Sequence, residues 1–312
     1  VAQMKNPSGI KKPGVFTRLL DKWIARHAQP SAAALVAVAD LKPAVVVTGG
    51  SRGIGLALAR RFAKAGHDVA ILARNSDALQ EAAAAIERNF GVKAHAIVID
   101  VTKPDAPRRL DTQLAERGCY MDVLVNSAGI GLSGRFESHS EKDVVHLLDL
   151  NVRALTRWMH HALPAMLARG RGGILNVASL GGLAAGPYQA AYYASKAYVI
   201  SLTEAAAWEN VGKGVRLTVL APGPVNTSFH EAMGAESSFY RQLLPALSPE
   251  HTANSAYSGF VLGRCLIVPG VINTFMAIAL RILPHTLLLP LVGWLLRPRD
   301  ELQNKKPNDG AH

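Results

Sequence analysis

Short unbroken runs of apolar residues alternate along this chain with longer segments of helical period. Ala44-Val45-Val46-Val47 shows no polar alternation and so predicts a strand buried on both faces, and Leu56 to Ala63 reads as the helix that follows it. The same alternation predicts strands near 44–48, 68–73, 94–99, 122–126, 173–178 and 215–220, and a short one at 265–268, with helices between them. Such a succession folds as one doubly wound α/β domain around a parallel seven-stranded sheet. The 312 residues, 49% of them hydrophobic, are enough to bury its core without a second domain. No internal repeat is apparent, and the run Ala82 to Ala85 falls in a predicted helix with Leu79 and Ile86 as its apolar contacts.

Chemistry enters with two motifs. Between the first strand and its helix stands Thr48-Gly49-Gly50-Ser51-Arg52-Gly53-Ile54-Gly55. Glycines at such a turn let the backbone come close to a diphosphate, whose charge the helix N-terminus favours. Farther on, Tyr192 and Lys196 are four residues apart, thirteen and more residues after Ser179. On a helix that spacing puts both on one face, where an ammonium beside the phenol is expected to favour its ionised form and make it a usable proton donor and acceptor.

Charge and the remaining reactive residues add little. The formal charge of +11 comes without any basic run interleaved with aromatics, which excludes a nucleic-acid partner and leaves a phosphorylated cofactor or an anionic membrane to explain it. Cys119 and Cys265 lack metal-ligand or Cys-x-x-Cys spacing and read as reduced thiols in or near buried strands. The eleven histidines form no ligand motif, His160-His161 reads as a solvated helix edge, and no metal site is expected.

Taken together, the motifs resemble those of the short-chain dehydrogenase/reductase family over roughly residues 43 to 270. The turn fits the family pattern Thr-Gly-x-x-x-Gly-x-Gly. Further family marks follow in order: Asp100 after the third strand, Asn126-Ser127-Ala128-Gly129 after the fourth, Asn151, Ser179, Tyr192 with Lys196, and Pro222-Gly223-Pro224-Val225-Asn226-Thr227 after the sixth. Ser127 departs from the commoner second Asn, with an expected effect on hydrogen bonding under the nicotinamide ribose only.

The resemblance implies a Rossmann-type domain at 43–270, preceded by an extension at 1–42 with an amphipathic helix and followed by a hydrophobic helical tail and polar terminus at 271–312. It implies catalysis by Asn151, Ser179, Tyr192 and Lys196. Tyr192 would exchange the proton, Ser179 would hold the reacting oxygen, Lys196 would also bind the nicotinamide ribose, and Asn151 would hold a relay water. Cofactor contacts are expected from Thr48, Gly49, Ser51, Arg52, Gly53, Ile54, Gly55, Arg74, Asp100, Val101, Asn126, Ala128, Gly129, Pro222, Gly223, Val225 and Thr227, besides Tyr192 and Lys196. Because Ala73-Arg74-Asn75 ends the second strand without an acid before Asp77, and Arg52 sits in the glycine turn, NADP(H) is the expected cofactor. Tyr193 reads as a packing or substrate-side residue.

The expected reaction interconverts a ketone and a secondary alcohol on an apolar or lipid-like substrate. Cleft walls are expected from 130–135, 181–189 and 226–247, with Leu132, Phe136, Leu183, Tyr188, Phe229, His230, Phe239, Tyr240 and Arg241. The alternative is a cofactor-binding regulatory or scaffold protein without turnover, against which the complete set of four catalytic residue types argues. A homodimer or homotetramer is expected.

The ends are less specific. Phe16, Leu19, Leu20, Trp23 and Ile24 form one stripe opposite Arg18, Lys22 and Arg26, with Lys5, Lys11 and Lys12 upstream. This suits an interfacial helix on anionic lipid, though a helix docked on the protein body is the preferred reading. The Ala-rich run 32–39 is weakly apolar and late for a signal peptide, and a cytosolic cofactor argues against export, so a cytoplasmic location is expected, with membrane association if the terminal helices meet lipid. In the tail, Arg281, Pro284 and Pro290 interrupt the apolar run, and since a spanning helix needs roughly 20 mostly apolar residues, two short helices are predicted. Sealing the cleft, packing in an oligomer and dipping into a bilayer surface are the three roles open to them. Economy in covering apolar surface suggests that the Phe16–Arg26 stripe and the tail form one surface near the cleft mouth.

Overall fold

The structure is a computed structural model, and it describes residues 15–235, 238–240 and 244–298. Seven parallel strands form one sheet in the order β3-β2-β1-β4-β5-β6-β7: β1 Lys42–Thr48, β2 Asp68–Ala73, β3 Ala94–Val98, β4 Cys119–Asn126, β5 Gly172–Val177, β6 Val215–Leu220 and β7 Leu266–Ile267. Alternation along β1 explains its unbroken apolar sequence. Val45 and Val47 face one cluster with α3 (Gly53–Lys64), α4 (Ser76–Phe90) and α10 (Pro249–Val261). Ala44 and Val46 face the other, with α5 (Ala106–Glu116), α7 (Leu155–Arg169) and the end of α8 (Ala190–Glu209). Both faces are covered, so no position from Ala44 to Val47 tolerates a polar side chain at low cost.

Strand order reverses between β1 and β4, and in such sheets a crevice opens at the carboxyl ends of the strands on either side of the reversal. A buried polar ladder crosses the sheet at that edge. Thr48 Oγ1 accepts from the amides of Ser127 and Ala128, Asn126 donates to Asn176 Oδ1 at 2.9 Å, and Asn176 donates to Thr203 Oγ1 at 2.9 Å. Each buried polar group thereby has a partner, which removes a penalty of about 1–3 kcal/mol per group.

The first and last described helices lie at opposite ends of the sheet. Helix α1 (Val15–Ile24) and the short α2 (Ala32–Val36) pack at the entry side: the Ile24 carbonyl accepts from Gly214 just before β6, Ser31 N donates to Ala168 O, and Asp21 pairs with Arg216 of β6. Ile24 is buried, whereas Leu19 and Trp23 are exposed. The expectation that the Phe16–Arg26 stripe joins the tail near the cleft is therefore wrong. The main-chain bond at Gly214 and the ion pair at Arg216 fasten this helix where the strands begin, one strand length from where they end. The side chains of Phe16 and Arg18, and all of Lys5, Lys11 and Lys12, lie outside the described residues.

The tail does form two short helices, α11 (Val271–Ile282) and α12 (His285–Leu296), broken at Leu283 and Pro284. Among the described residues no helix is long and apolar enough to cross a membrane. Leu288, Val292 and Leu296, spaced by four, enter a cluster with Leu147, Tyr192, Met233 and Tyr240. Burying three such side chains contributes about 2 kcal/mol each, enough to hold α12 over the carboxyl end of the sheet.

Candidate active site

A cavity of about 630 Å³ runs from the glycine turn across the ends of β4 and β5 to α8 and on to the tail helices. The turn is built for close approach. Gly49 and Gly53 adopt φ of 66° and 58°, the left-handed region that glycine enters without cost. A Cβ on Gly55 would overlap the carbonyl of Gly49, so β1 and α3 meet backbone to backbone. No side chain caps the first turn of α3, whose N-cap is Arg52, and its amides remain for an anion.

Most of the expected cofactor residues line this cavity: Gly49, Ser51, Arg52, Gly53, Ile54, Gly55, Arg74, Asp100, Val101, Ala128, Gly129, Pro222, Gly223, Val225 and Thr227, together with Ser179, Tyr192 and Lys196. Thr48, Asn126 and Asn151 do not line it. Thr48 and Asn126 spend their polar atoms on the ladder under the loops. Asn151 is fully buried, accepts from Ile130 N, and donates to Ile130 O and to Ser195 Oγ. These residues support the loops that line the cavity, and a Cβ on Gly129 would stand 3.2 Å from Asn151 Oδ1 and 3.5 Å from Lys196 Nζ, which places the two side chains under one loop. Ser195, the partner of Asn151, was not anticipated from the sequence.

Among the expected wall residues, Phe229 at the start of α9 (Phe229–Ala232), His230 and Tyr240 line the cavity. His230 Nδ1 and Tyr240 Oη lie 2.9 Å apart. Leu132, Phe136, Leu183, Tyr188 and Phe239 do not line it. Leu132 packs against the cluster beneath α12, Phe136 is exposed, Leu183 lines a second crevice beside α8, and Phe239 stacks on Trp294. Tyr188 is the one non-glycine residue with positive φ among those described, and its carbonyl is held by Gly134 N at 2.8 Å. Arg241 lies outside the described residues. The far wall comes from the tail, with Met276, Leu280, Val292, Leu295 and Leu296. The helices themselves were legible as apolar runs; that they wall this cavity was not. Tyr193 packs its ring against Gly181 and Gly186 and also reaches the cavity.

Helix α8 presents Tyr192 and Lys196 to the cavity, which Ser179 also lines. Their electrostatics differ from the simple i,i+4 expectation. Burial pushes the Tyr192 phenol above its ordinary value, and the Ser179 hydroxyl opposes this without reversing it. Burial also pulls Lys196 down to about 8. The Lys196 ammonium donates to Val177 O at 2.9 Å and stands 5.8 Å from the centre of the Tyr192 ring. The expectation that Lys196 favours the ionised phenol does not hold for the protein by itself, because both groups are buried and the lysine is turned to a carbonyl.

This gives a pH dependence with a definite sign. A lysine with a folded-state value near 8 and an unfolded value near 10.5 penalises the folded state fully below pH 8. That penalty is relieved as pH rises from about 8 to 10.5, because over this window the unfolded chain binds the proton and the folded one does not. Cofactor-free protein should therefore gain stability across the window relative to Lys196→Met. Parallel thermal melts of the two proteins test this, and identical pH slopes would refute it.

Elsewhere, Asp100 feels burial that raises it, but hydrogen bonds from Thr102 together with Lys103 and Arg74 outweigh this and hold its carboxyl below the usual range. Arg52 and Arg74 are both exposed and take no ion-pair partner among the described residues. Asn75 uses its side chain to cap α4. The residues present thus suit a dinucleotide: a glycine cradle at a helix start, one open guanidinium in that turn and another just past β2, and a lysine on α8 lining the same cavity. No group of three or more His, Cys, Asp or Glu is placed to hold a metal among the described residues, and His161 pairs instead with Asp111 at 2.6 Å. Cys119 is buried at the start of β4, and Cys265 is half-buried beside β7.

Comparison with known proteins agrees with this geometry. The family model for short chain dehydrogenases matches residues 43–238. A ketoacyl reductase, HetN, of Nostoc sp. is 36% identical over 182 residues, which is 58% of this chain and 63% of that protein. Gluconate 5-dehydrogenase of Gluconobacter oxydans is 33% identical over 240 residues, 73% of this chain and 93% of the relative. Among solved structures, a short-chain dehydrogenase from Sphingobium yanoikuyae in complex with NADPH has a TM-score of 0.68 at 26% identity, covering 86% of this chain and 98% of that one. With the glycine turn, the sheet order and the Ser179, Tyr192 and Lys196 grouping in place, the chain belongs to the short-chain dehydrogenase/reductase family of oxidoreductases.

Proposed function

We propose that the protein interconverts a ketone and a secondary alcohol with NADP(H), on an apolar or lipid-like substrate. The observation that carries this is that Ser179, Tyr192 and Lys196 line one cavity whose outer wall is made of Met276, Leu280, Val292, Leu295 and Leu296. Bound NADP(H) would supply or accept the hydride. Tyr192 Oη gives or takes the proton at the substrate oxygen, and Ser179 Oγ holds that oxygen as charge develops. Lys196 lies below this pair and would take the nicotinamide ribose, while Asn151 fixes the loop at Ile130.

Two open guanidiniums, with no acid between the end of β2 and Asp77, favour a 2′-phosphate, and the Sphingobium yanoikuyae relative was solved with NADPH. NADPH should bind about tenfold or more tightly than NADH, and Arg74→Asp should erase most of that difference. Titration of both cofactors against both proteins measures this, and an unchanged ratio in the variant would exclude the role given to Arg74. The substrate class is tested by NADPH oxidation with ketones graded by chain length. Catalytic efficiency should rise with apolar length; a fall would remove the lipid-like reading and leave the reductase chemistry standing.

A further inference from the structure

The tail helices are apolar on more sides than the protein covers. α12 carries no Asp, Glu, Lys or Arg, yet it buries only the stripe Leu288, Val292 and Leu296. α11 buries only Asn273 and Ala277. Outward stand Val271, Phe275 and Ile282 of α11, 69–73% exposed, and Leu287, Leu291 and Trp294 of α12, 50–65% exposed. A helix whose outer face meets water carries polar residues there, and an apolar patch of this extent on a monomer marks an interaction surface.

We propose that this face docks on the surface of an anionic phospholipid membrane. Charge argues for that occupant. No Asp or Glu occurs between Glu250 and Asp300, whereas Arg281, His285, Arg297 and Arg299 lie in or after the tail helices on a chain of net charge +11, and of these Arg281 meets an acid, Glu204 of α8. A second copy meeting this face would bring no acid of its own tail helices to the basic residues that follow α12, whereas an anionic headgroup would supply the opposite charge. Length argues the same way. Each helix has 12 residues, about 18 Å, and the chain bends at Pro284 between them, so they lie along an interface and do not cross it. Trp294, stacked on Phe239 at the outer edge of α12, suits the headgroup region.

Position gives the surface its use. The inner sides of the same helices wall the reaction cavity, so a single layer of helix separates lipid from the site. Resting on the proposed reductase reading, the docked face would let a membrane-dissolved ketone reach Tyr192 without crossing water.

The test uses the full chain and the double variant Phe275→Glu with Leu287→Glu, neither residue lining the cavity. Both are sedimented with phosphatidylcholine vesicles, with and without phosphatidylglycerol, and assayed by NADPH oxidation on a short water-soluble ketone. The unaltered chain should co-sediment best with the phosphatidylglycerol vesicles. The variant should partition at least about tenfold less while turning over the soluble ketone equally. If the unaltered chain stays in solution with both vesicles, or the variant binds as well, the proposal is overturned. If vesicles bind neither protein and light scattering shows that the variant splits an oligomer, the face is a contact between copies and the proposal is again overturned. Vesicle binding in the expected pattern, without turnover of any ketone, supports the surface and rejects the reductase reading alone.

Discussion

Tyr192→Phe is expected to lower turnover by roughly 10²–10⁴-fold while cofactor affinity stays within a few-fold of the parent, because one proton-transfer oxygen is lost and ring volume is kept. The residue is buried, it shares the cavity with Ser179, and its ring packs beside Phe229 at 5.7 Å between centroids. Removing one hydroxyl should cost at most about 1 kcal/mol of stability, too little to unfold the domain. The control is the neighbouring residue. Tyr193 stands against Gly181 and Gly186, and Tyr193→Phe should change turnover less than about tenfold. Steady-state rates, NADPH titrations and melting curves on the three proteins decide the matter. Equal losses in both variants would mean that the proton passes through some other group.

Gly55→Val should abolish cofactor binding, raising the NADPH dissociation constant at least about 100-fold and lowering the melting temperature. The first atom added would overlap the Gly49 carbonyl, with Ser127 Oγ at 3.2 Å behind it. Both sides of this contact are fixed main chain, so no rotamer change relieves it, and α3 would have to lift off β1 and carry the phosphate-facing amides with it. Gly91 makes the comparison: its φ is 67°, yet nothing lies within 4 Å of a Cβ there, so Gly91→Ala should cost only about 1 kcal/mol and leave cofactor binding alone. NADPH titration and thermal melts of both variants test the contrast; a Gly55→Val protein that binds NADPH normally would show that the glycine turn does not hold the diphosphate.

The sheet was readable because its strands are buried on both faces, which forces runs such as Val45-Val46-Val47 that no amphipathic element would carry. The glycine turn and the Tyr192 and Lys196 spacing were readable because close approach and a shared helix face are local properties. What sequence could not convey was depth. The sign of the Tyr192 shift depends on how far the cavity excludes water, and the direction of the Lys196 ammonium depends on Val177, nineteen residues away. Thr48, Asn126 and Asn151 were legible as members of a motif, yet whether they touch the cavity or hold up its loops was decided by partners at Ser127, Asn176 and Ser195. The amphipathic stripe at Leu19 to Ile24 was equally plain, but a stripe states that a helix needs a partner and not which end of the sheet provides it.

Between α6 (Glu141–Leu148) and α7 the helix widens into a π turn at Asp149–Ala154, and Asn151 sits inside it. A π turn accommodates one residue more than an α turn, so the helices on either side are rotated relative to one another by about 100°, the angle of a single residue. The chain uses that offset to satisfy two masters. α7 presents Trp158, Met159 and Ala162 to the sheet, while α6 turns Leu147 into the cluster beneath α12. A one-residue deletion there would leave an unbroken, more regular helix and yet force a choice: keep α7 on the sheet and swing Leu147 away from the tail, or keep Leu147 and turn Trp158 to solvent. The helical irregularity is thus a phase shifter, and through it the footing of the tail and the loop under the nicotinamide end of the cavity are set by the same turn of backbone.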